Sequence, residues 1–206
     1  MPVGRDTVTL PIFPLNAVLF PGMRLPLHVF EDRYRRLVRE SLDRDTAFGV
    51  TYIRQGQDGD GPVEPYTIGT TARIIQSVPL PDGRYNITVV GVGRFHLLSY
   101  KHNGTYLVGQ ARFLPDLAEE IPWRLIDEAR ALGSEYWSHA RLRADTAYPV
   151  MPQDAEALSY WIAQYLPIPL AEQQELLEIR TTLARLSKEV AILRTVLDTL
   201  RTERSG

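Results

Sequence analysis

The chain has 206 residues, with 23 basic and 25 acidic side chains and no cysteine. That length allows one large domain or two small ones with a working core, and the near-balanced charge advertises neither a polyanionic partner nor a membrane surface. Without cysteine, disulfides, thiolate metal sites and a cysteine nucleophile are excluded. Arg5 and Asp6, followed by Pro11 and Pro14, interrupt any signal-peptide core, and no run approaches the roughly 18 apolar residues needed to cross a bilayer. The expectation is a soluble cytoplasmic protein.

The stretch from Leu10 to Glu31 is too apolar for a surface loop and too rich in proline for a helix. Pro11, Pro14, Pro21 and Pro26 each lack a ladder donor, which confines this stretch to short strands, strand starts and edges. The spacing predicts two brief strands around a Pro21-Gly22 turn, where proline presets φ and glycine accepts φ > 0. Tyr34, Leu37, Val38 and Leu42 then follow helical spacing, with Glu31 or Asp32 placed to cap the helix start. Residues 55–62 carry no apolar side chain and are expected to form a mobile hairpin tip or loop. Tyr85, Ile87 and Val89 alternate with polar residues as a half-buried strand requires, and Pro81-Asp82-Gly83 joins them to the run from Ala72 to Leu80 as a hairpin. A second hairpin is expected from Phe95–Tyr100 and Tyr106–Leu114. Short strands at these intervals suggest a closed or nearly closed sheet.

The composition shifts near Pro115-Asp116. Pro122 opens a helical segment carrying Leu125, Ile126, Ala129, Leu132, Tyr136 and Trp137, and a second helix is expected from Asp154 until Pro167 and Pro169 stop it. Trp123, Trp137 and Trp161 read as packing between helices and the β-unit. A last helix is expected from Leu170 or Ala171, with Leu176, Ile179, Leu183, Leu186, Val190, Leu193, Leu197 and Leu200 three and four residues apart. That is a heptad seam, which serves either self-association or an ordinary long helix packed in a bundle. The reading is therefore α+β: a β-rich subdomain over residues 1–116 and a helical subdomain over residues 117–206 that ends in a long helix.

The pattern PxFPL, VLFPGxxLPLxxFExRY resembles the opening of the N-terminal substrate-binding domain of Lon proteases, which is also present in cereblon and in free-standing bacterial proteins. Phe48-Gly49-Val50, Ile68-Gly69-Thr70-Thr71-Ala72, Asp82-Gly83-Arg84-Tyr85 and Gly91-Val92-Gly93-Arg94-Phe95 follow in the order of that family. Gln174, Leu176, Leu177, Glu178, Arg185 and Leu186 resemble its helical segment, so the similarity spans roughly residues 8 to 200. The resemblance implies a PUA-like pseudo-barrel, and a non-catalytic module that binds unfolded or client proteins and peptides.

The residues themselves give no enzyme. A phosphate-cradling Gly-x-x-x-x-Gly-Lys-Ser/Thr loop is missing from this sequence, and Lys101 and Lys188 neighbour Ser99 and Ser187 only in sequence, which is no evidence for a Ser–Lys dyad. His28, His96, His102 and His139 lack short metal-ligand spacings, so neither a metal nor another cofactor is implied. Arg33, Arg35, Arg36 and Arg39 could meet nucleic acid, but Glu31, Asp32, Glu40, Asp43 and Asp45 cancel much of their field, which ranks RNA below protein as a partner. A peptide-binding groove needs accessible apolar and adaptable side chains, and Phe20, Met23, Phe30 and Tyr34 gather around the Pro21-Gly22 turn. Leu186, Val190, Leu193 and Leu197 are the candidate residues for a partner helix, through which the chain could dimerise or act as a scaffold.

Overall fold

The structure, a computed structural model, describes residues 7–56, 63–144 and 150–203. Residues 57–62 of the expected mobile loop lie outside the described residues. The chain divides into two compact units, Met1–Pro115 and Asp116–Gly206.

In the first unit seven strands form one sheet: β1 (Thr7–Leu15), β2 (Arg24–Val29), β3 (Phe48–Gln55), β4 (Glu64–Pro65), β5 (Ile68–Pro79), β6 (Tyr85–His102) and β7 (Leu107–Phe113). Pairing runs β1-β7-β6-β5-β3 and returns to β1 through a parallel β1–β3 ladder, so five strands close on themselves. β2 adds to β6 and β4 to β3. Closure removes the edges of that five-stranded part, while β2, β4 and the end of β5 each have one strand neighbour among the described residues.

The first strand is longer than its prolines suggest. β1 runs for nine residues, and pairs with β7 over Thr7–Ile12 and with β3 over Ile12–Leu15. Pro11 lies where only β7 is a neighbour and Pro14 where only β3 is. Each proline therefore has one side without a strand neighbour, where a missing N–H costs no ladder bond. The two strands expected at Tyr85–Val89 and Phe95–Tyr100 are one strand, β6, of 18 residues. Register shifts at Thr70/Ala72, Ile74/Gln76 and Leu97/Ser99 let it serve β2 and β5 with its first half and β7 with its second.

Helix α1 (Asp32–Arg44) lays Tyr34, Leu37, Val38 and Ser41 into the core, while Leu42 stays 40% exposed. Glu31 is its N-cap but makes no side-chain cap; its carboxylate instead pairs with Arg33 at 2.7 Å. At its other end the Tyr106 hydroxyl donates to Glu40 at 2.7 Å, which ties the helix to the start of β7. Phe13, Leu19, Phe48, Val50, Ile87 and Val89 complete the core beneath α1. A second cluster, around Ile12, Phe95 and Leu97, occupies the closed part of the sheet. A Cβ on Gly49 or Gly69 would come within 2.9 Å of the Phe95 ring, so these glycines make the room that Phe95 fills.

The second unit is helical: α2 (Trp123–Ala144), α3 (Ala155–Ala163), α4 (Leu170–Glu178) and α5 (Thr182–Glu203). Asp154 caps α3, accepting from the Ala157 N–H at 2.8 Å. The single last helix expected from Leu170 is broken at residues 179–181. Ile179 is extended there (φ −60°, ψ 129°), and the Thr181 hydroxyl accepts from the Ala184 N–H to start α5. The carbonyls freed at the break are taken up by the Leu117 N–H and the Arg185 guanidinium. Trp137 and Trp161 pack with Tyr165 inside this unit, whereas Trp123 is 67% exposed and so is not the packing residue expected of it. No helix among the described residues is long and apolar enough to cross a membrane.

Candidate functional site

The Pro21-Gly22 turn forms as the sequence predicts: Gly22 has φ 79° and the Met23 N–H donates to the Phe20 carbonyl at 3.1 Å. The turn is clasped onto β6 by two further bonds, Gly22 N–H to Gly91 carbonyl and Gly91 N–H to Met23 carbonyl, both 2.9 Å. That close approach buries Phe20 completely and leaves Met23 half-buried against the core. Tyr34 is also interior, stacked on Phe13 with ring centroids 4.0 Å apart. Of the four residues singled out around this turn, Phe30 alone is well exposed, at 61%.

Phe30 stands where β2 ends and α1 is about to begin. Strand alternation carries Val29 into the core, and Phe30 follows it to the outside. Beneath it lies a niche of about 50 Å³, floored by Phe13, Leu15 and Tyr34 and bounded by Leu27, Val29 and Glu31. The Arg33 guanidinium sits 4.6 Å over the Tyr34 ring, so the ion pair with Glu31 also covers the aromatic stack. His28 lies beside Phe30, ring centroids 6.2 Å apart, with Nδ1 2.7 Å from Asn86 Oδ1 and Nε2 3.2 Å from Arg84 Nη1. The volume admits a short aliphatic group, and the exposed ring offers a larger apolar contact beside it. Glu31, the carboxylate at the rim, is already paired with Arg33, and His28, which also lines the niche, is engaged by Asn86 and Arg84. The arrangement can hold an apolar side chain.

Phe13, Leu15 and Leu27 were not evident as site residues in the sequence. Their alternation shows that one face of a strand is buried, but says nothing of a gap left between a strand end and a helix start. A larger cavity of about 570 Å³ opens near Gln55, Val63, Glu64, Tyr100, Lys101 and Leu107, and its accessible lining is mainly apolar.

The four residues of the expected partner helix are all buried within the second unit. α5 packs on α2 and α3, and Glu128–Arg194 and Glu135–Arg201 form successive ion pairs along the parallel α2/α5 seam. Both partners advance by seven residues, so the heptad spacing of α5 is matched by the chain's own α2. Leu186, Val190, Leu193 and Leu197 thus fill an intrachain seam.

The family described as the ATP-dependent protease La (LON) substrate-binding domain matches residues 9–195. Among curated proteins, the chain is 28% identical over 208 residues to Lon protease of Rhizobium meliloti (strain 1021), an alignment covering 98% of this chain and 26% of that protein. It is 26% identical to Lon protease of Escherichia coli (strain K12), over 98% of this chain and 27% of that protein. The chain thus spans about a quarter of the length of the curated relatives it matches. Among solved structures, a Lon N-terminal domain protein from Xanthomonas campestris aligns with TM-score 0.70 and 26% identity, covering 89% of this chain and 98% of that one. The N-terminal domain of Mycobacterium avium complex Lon protease shares the fold, with TM-score 0.65 at 19% identity. With a family match running through both units and a solved structure of the same architecture, the chain belongs to the Lon substrate-binding domain family.

Proposed function

We propose that this chain is a non-catalytic recognition module that captures exposed apolar segments of client proteins, with Phe30 and the niche beneath it as the contact. The observation that carries this reading is the contrast at the Pro21-Gly22 turn: most of its aromatic surface is spent on the core, while Phe30 is held out at the rim of an apolar gap. An aromatic ring fixed in that position costs little entropy to immobilise, which suits it to an anchoring role. Family membership supports the same class of ligand, since the family is described as substrate-binding. The division into a β-rich recognition unit and a helical unit, and action in the cytoplasm without a cofactor, belong to this proposal.

The test is fluorescence anisotropy with a permanently unfolded probe, reduced carboxymethylated α-lactalbumin. Phe30→Ala should weaken its binding about tenfold while leaving the melting temperature nearly unchanged, because an exposed ring contributes little to folding. Unfolded probe that binds no better than a folded protein of similar size, or binds equally well to the F30A variant, would remove this reading.

A further inference from the structure

Strands β2, β6 and β5 present an outer face opposite the core, and its composition is unusual. Register aligns Arg24, Val90 and Arg73 in one row, Pro26, Thr88 and Gln76 in the next, and His28, Asn86 and Val78 in a third. The bulge between Ile74 and Gln76 turns Ile75 out as well, so Ile75, Val78 and, further along β6, Val92 are each about half exposed. None of the three strands contains an aspartate or glutamate. Five arginines of this unit, Arg33, Arg35, Arg36, Arg54 and Arg84, are each paired with a carboxylate. Arg24 and Arg73 are exposed and have no ion-pair partner among the described residues. They flank Val90, with Cα atoms about 10 Å apart at two strand spacings, so both can reach one acidic group placed between them.

From this we infer that the outer face of β2, β6 and β5 docks a protein segment that joins acidic residues to aliphatic ones, its carboxylates between Arg24 and Arg73 and its apolar side chains over Ile75, Val78 and Val90. Charge complementarity selects the acidic end, since the face offers cations and no competing anion. The aliphatic patch selects protein over nucleic acid: a single-stranded nucleic acid is held by stacking aromatics and a longer cationic track, and this face carries neither. The inference rests on the reading of this unit as a protein-binding module; its contacts Arg24, Arg73, Ile75, Val78 and Val90 are not among the residues that line the Phe30 niche, and only His28 borders both.

The test uses the full chain and a fluorescein-labelled synthetic 12-mer with alternating valine and threonine and two glutamates at one end, against the same peptide with lysines in place of glutamates. The glutamate peptide should bind, more weakly as salt is raised, and the double variant R24E/R73E should lose about tenfold in affinity for it while gaining affinity for the lysine peptide. I75S/V78S should weaken the glutamate peptide severalfold at any salt concentration. Unchanged melting temperatures of these surface variants establish that the fold is intact. Equal binding of both peptides, an undiminished affinity in R24E/R73E, or preferential binding of a uridine 12-mer through the same arginines would overturn the inference. Should the peptide fail while F30A still impairs capture of unfolded α-lactalbumin, this inference falls and the proposed function stands.

Discussion

Arg185 is fully buried, yet nearly every part of its guanidinium is engaged. Nη2 donates to Asp116 at 2.8 Å, Nε donates to Ser159 at 2.7 Å, and the plane lies 3.9 Å from the centre of the Tyr160 ring. Asp116 in turn accepts from Thr182 and Tyr160. A buried charge of this kind is costly when its partner is removed, because the remaining ion cannot return to water. Asp116→Ala should therefore destabilise the protein by about 3–5 kcal/mol, as measured by urea unfolding. Ser159 passes the network on, donating to Glu189 Oε1 at 2.9 Å, while Glu189 Oε2 has no hydrogen-bond partner among the described residues. Burial raises the Glu189 pKa well above its ordinary 4.5, against the attraction of Arg185 and the bond from Ser159. The folded state then binds this proton more tightly than the unfolded chain does. Its contribution is complete below about pH 4.5 and is lost as pH rises through the raised folded value. Glu189→Gln keeps a neutral group and should flatten that alkaline fall, leaving the variant relatively more stable than the wild type at pH 8 than at pH 5. Parallel stability curves for the two proteins would contradict this.

At the level of elements, the turn at Pro21-Gly22 and the glycine-rich centre of β6 are two halves of one contact. A Cβ on Gly91 would lie 2.2 Å from the Phe20 carbonyl oxygen, a backbone atom that cannot swing aside. Gly91→Ala should therefore cost about 2–3 kcal/mol and shift the melting temperature down, whereas Gly93→Ala, with open space around its Cβ, should cost much less. The two motifs are distant in sequence, and their dependence becomes visible only when the chain brings them together. The same holds for β1. Its prolines argued for short pieces, and that rule of local chemistry was correct for each residue. What it could not convey was that β1 changes neighbours at Ile12, so a proline on either side of that point is harmless. α1 and the hairpin at Asp82-Gly83 were legible because hydrophobic period and turn chemistry are local signals. The break between α4 and α5 had a local signal too, in Thr181-Thr182, but the unbroken heptad spacing across it masked the cap.

For the whole molecule, the ordered motifs were sufficient for the family and the α+β class, since they are spread through both units. Which apolar residues face water was not legible. Phe20 and Phe30 are both phenylalanines beside prolines or acids in one short stretch, and one is fully buried while the other is 61% exposed. Only the clasp of the turn onto Gly91 and the end of β2 separate them. Likewise a heptad seam looks identical whether its partner is a second chain or, as here for α5, a parallel helix of the same chain. The proposed recognition of client protein is placed on the β-rich unit, at Phe30. The most direct measurement is amide hydrogen exchange of the full chain with and without saturating reduced carboxymethylated α-lactalbumin. Slowed exchange concentrated in residues 27–34 is the expected result. Exchange unchanged across that segment when the client is bound, or protection confined to α2 through α5, would contradict it.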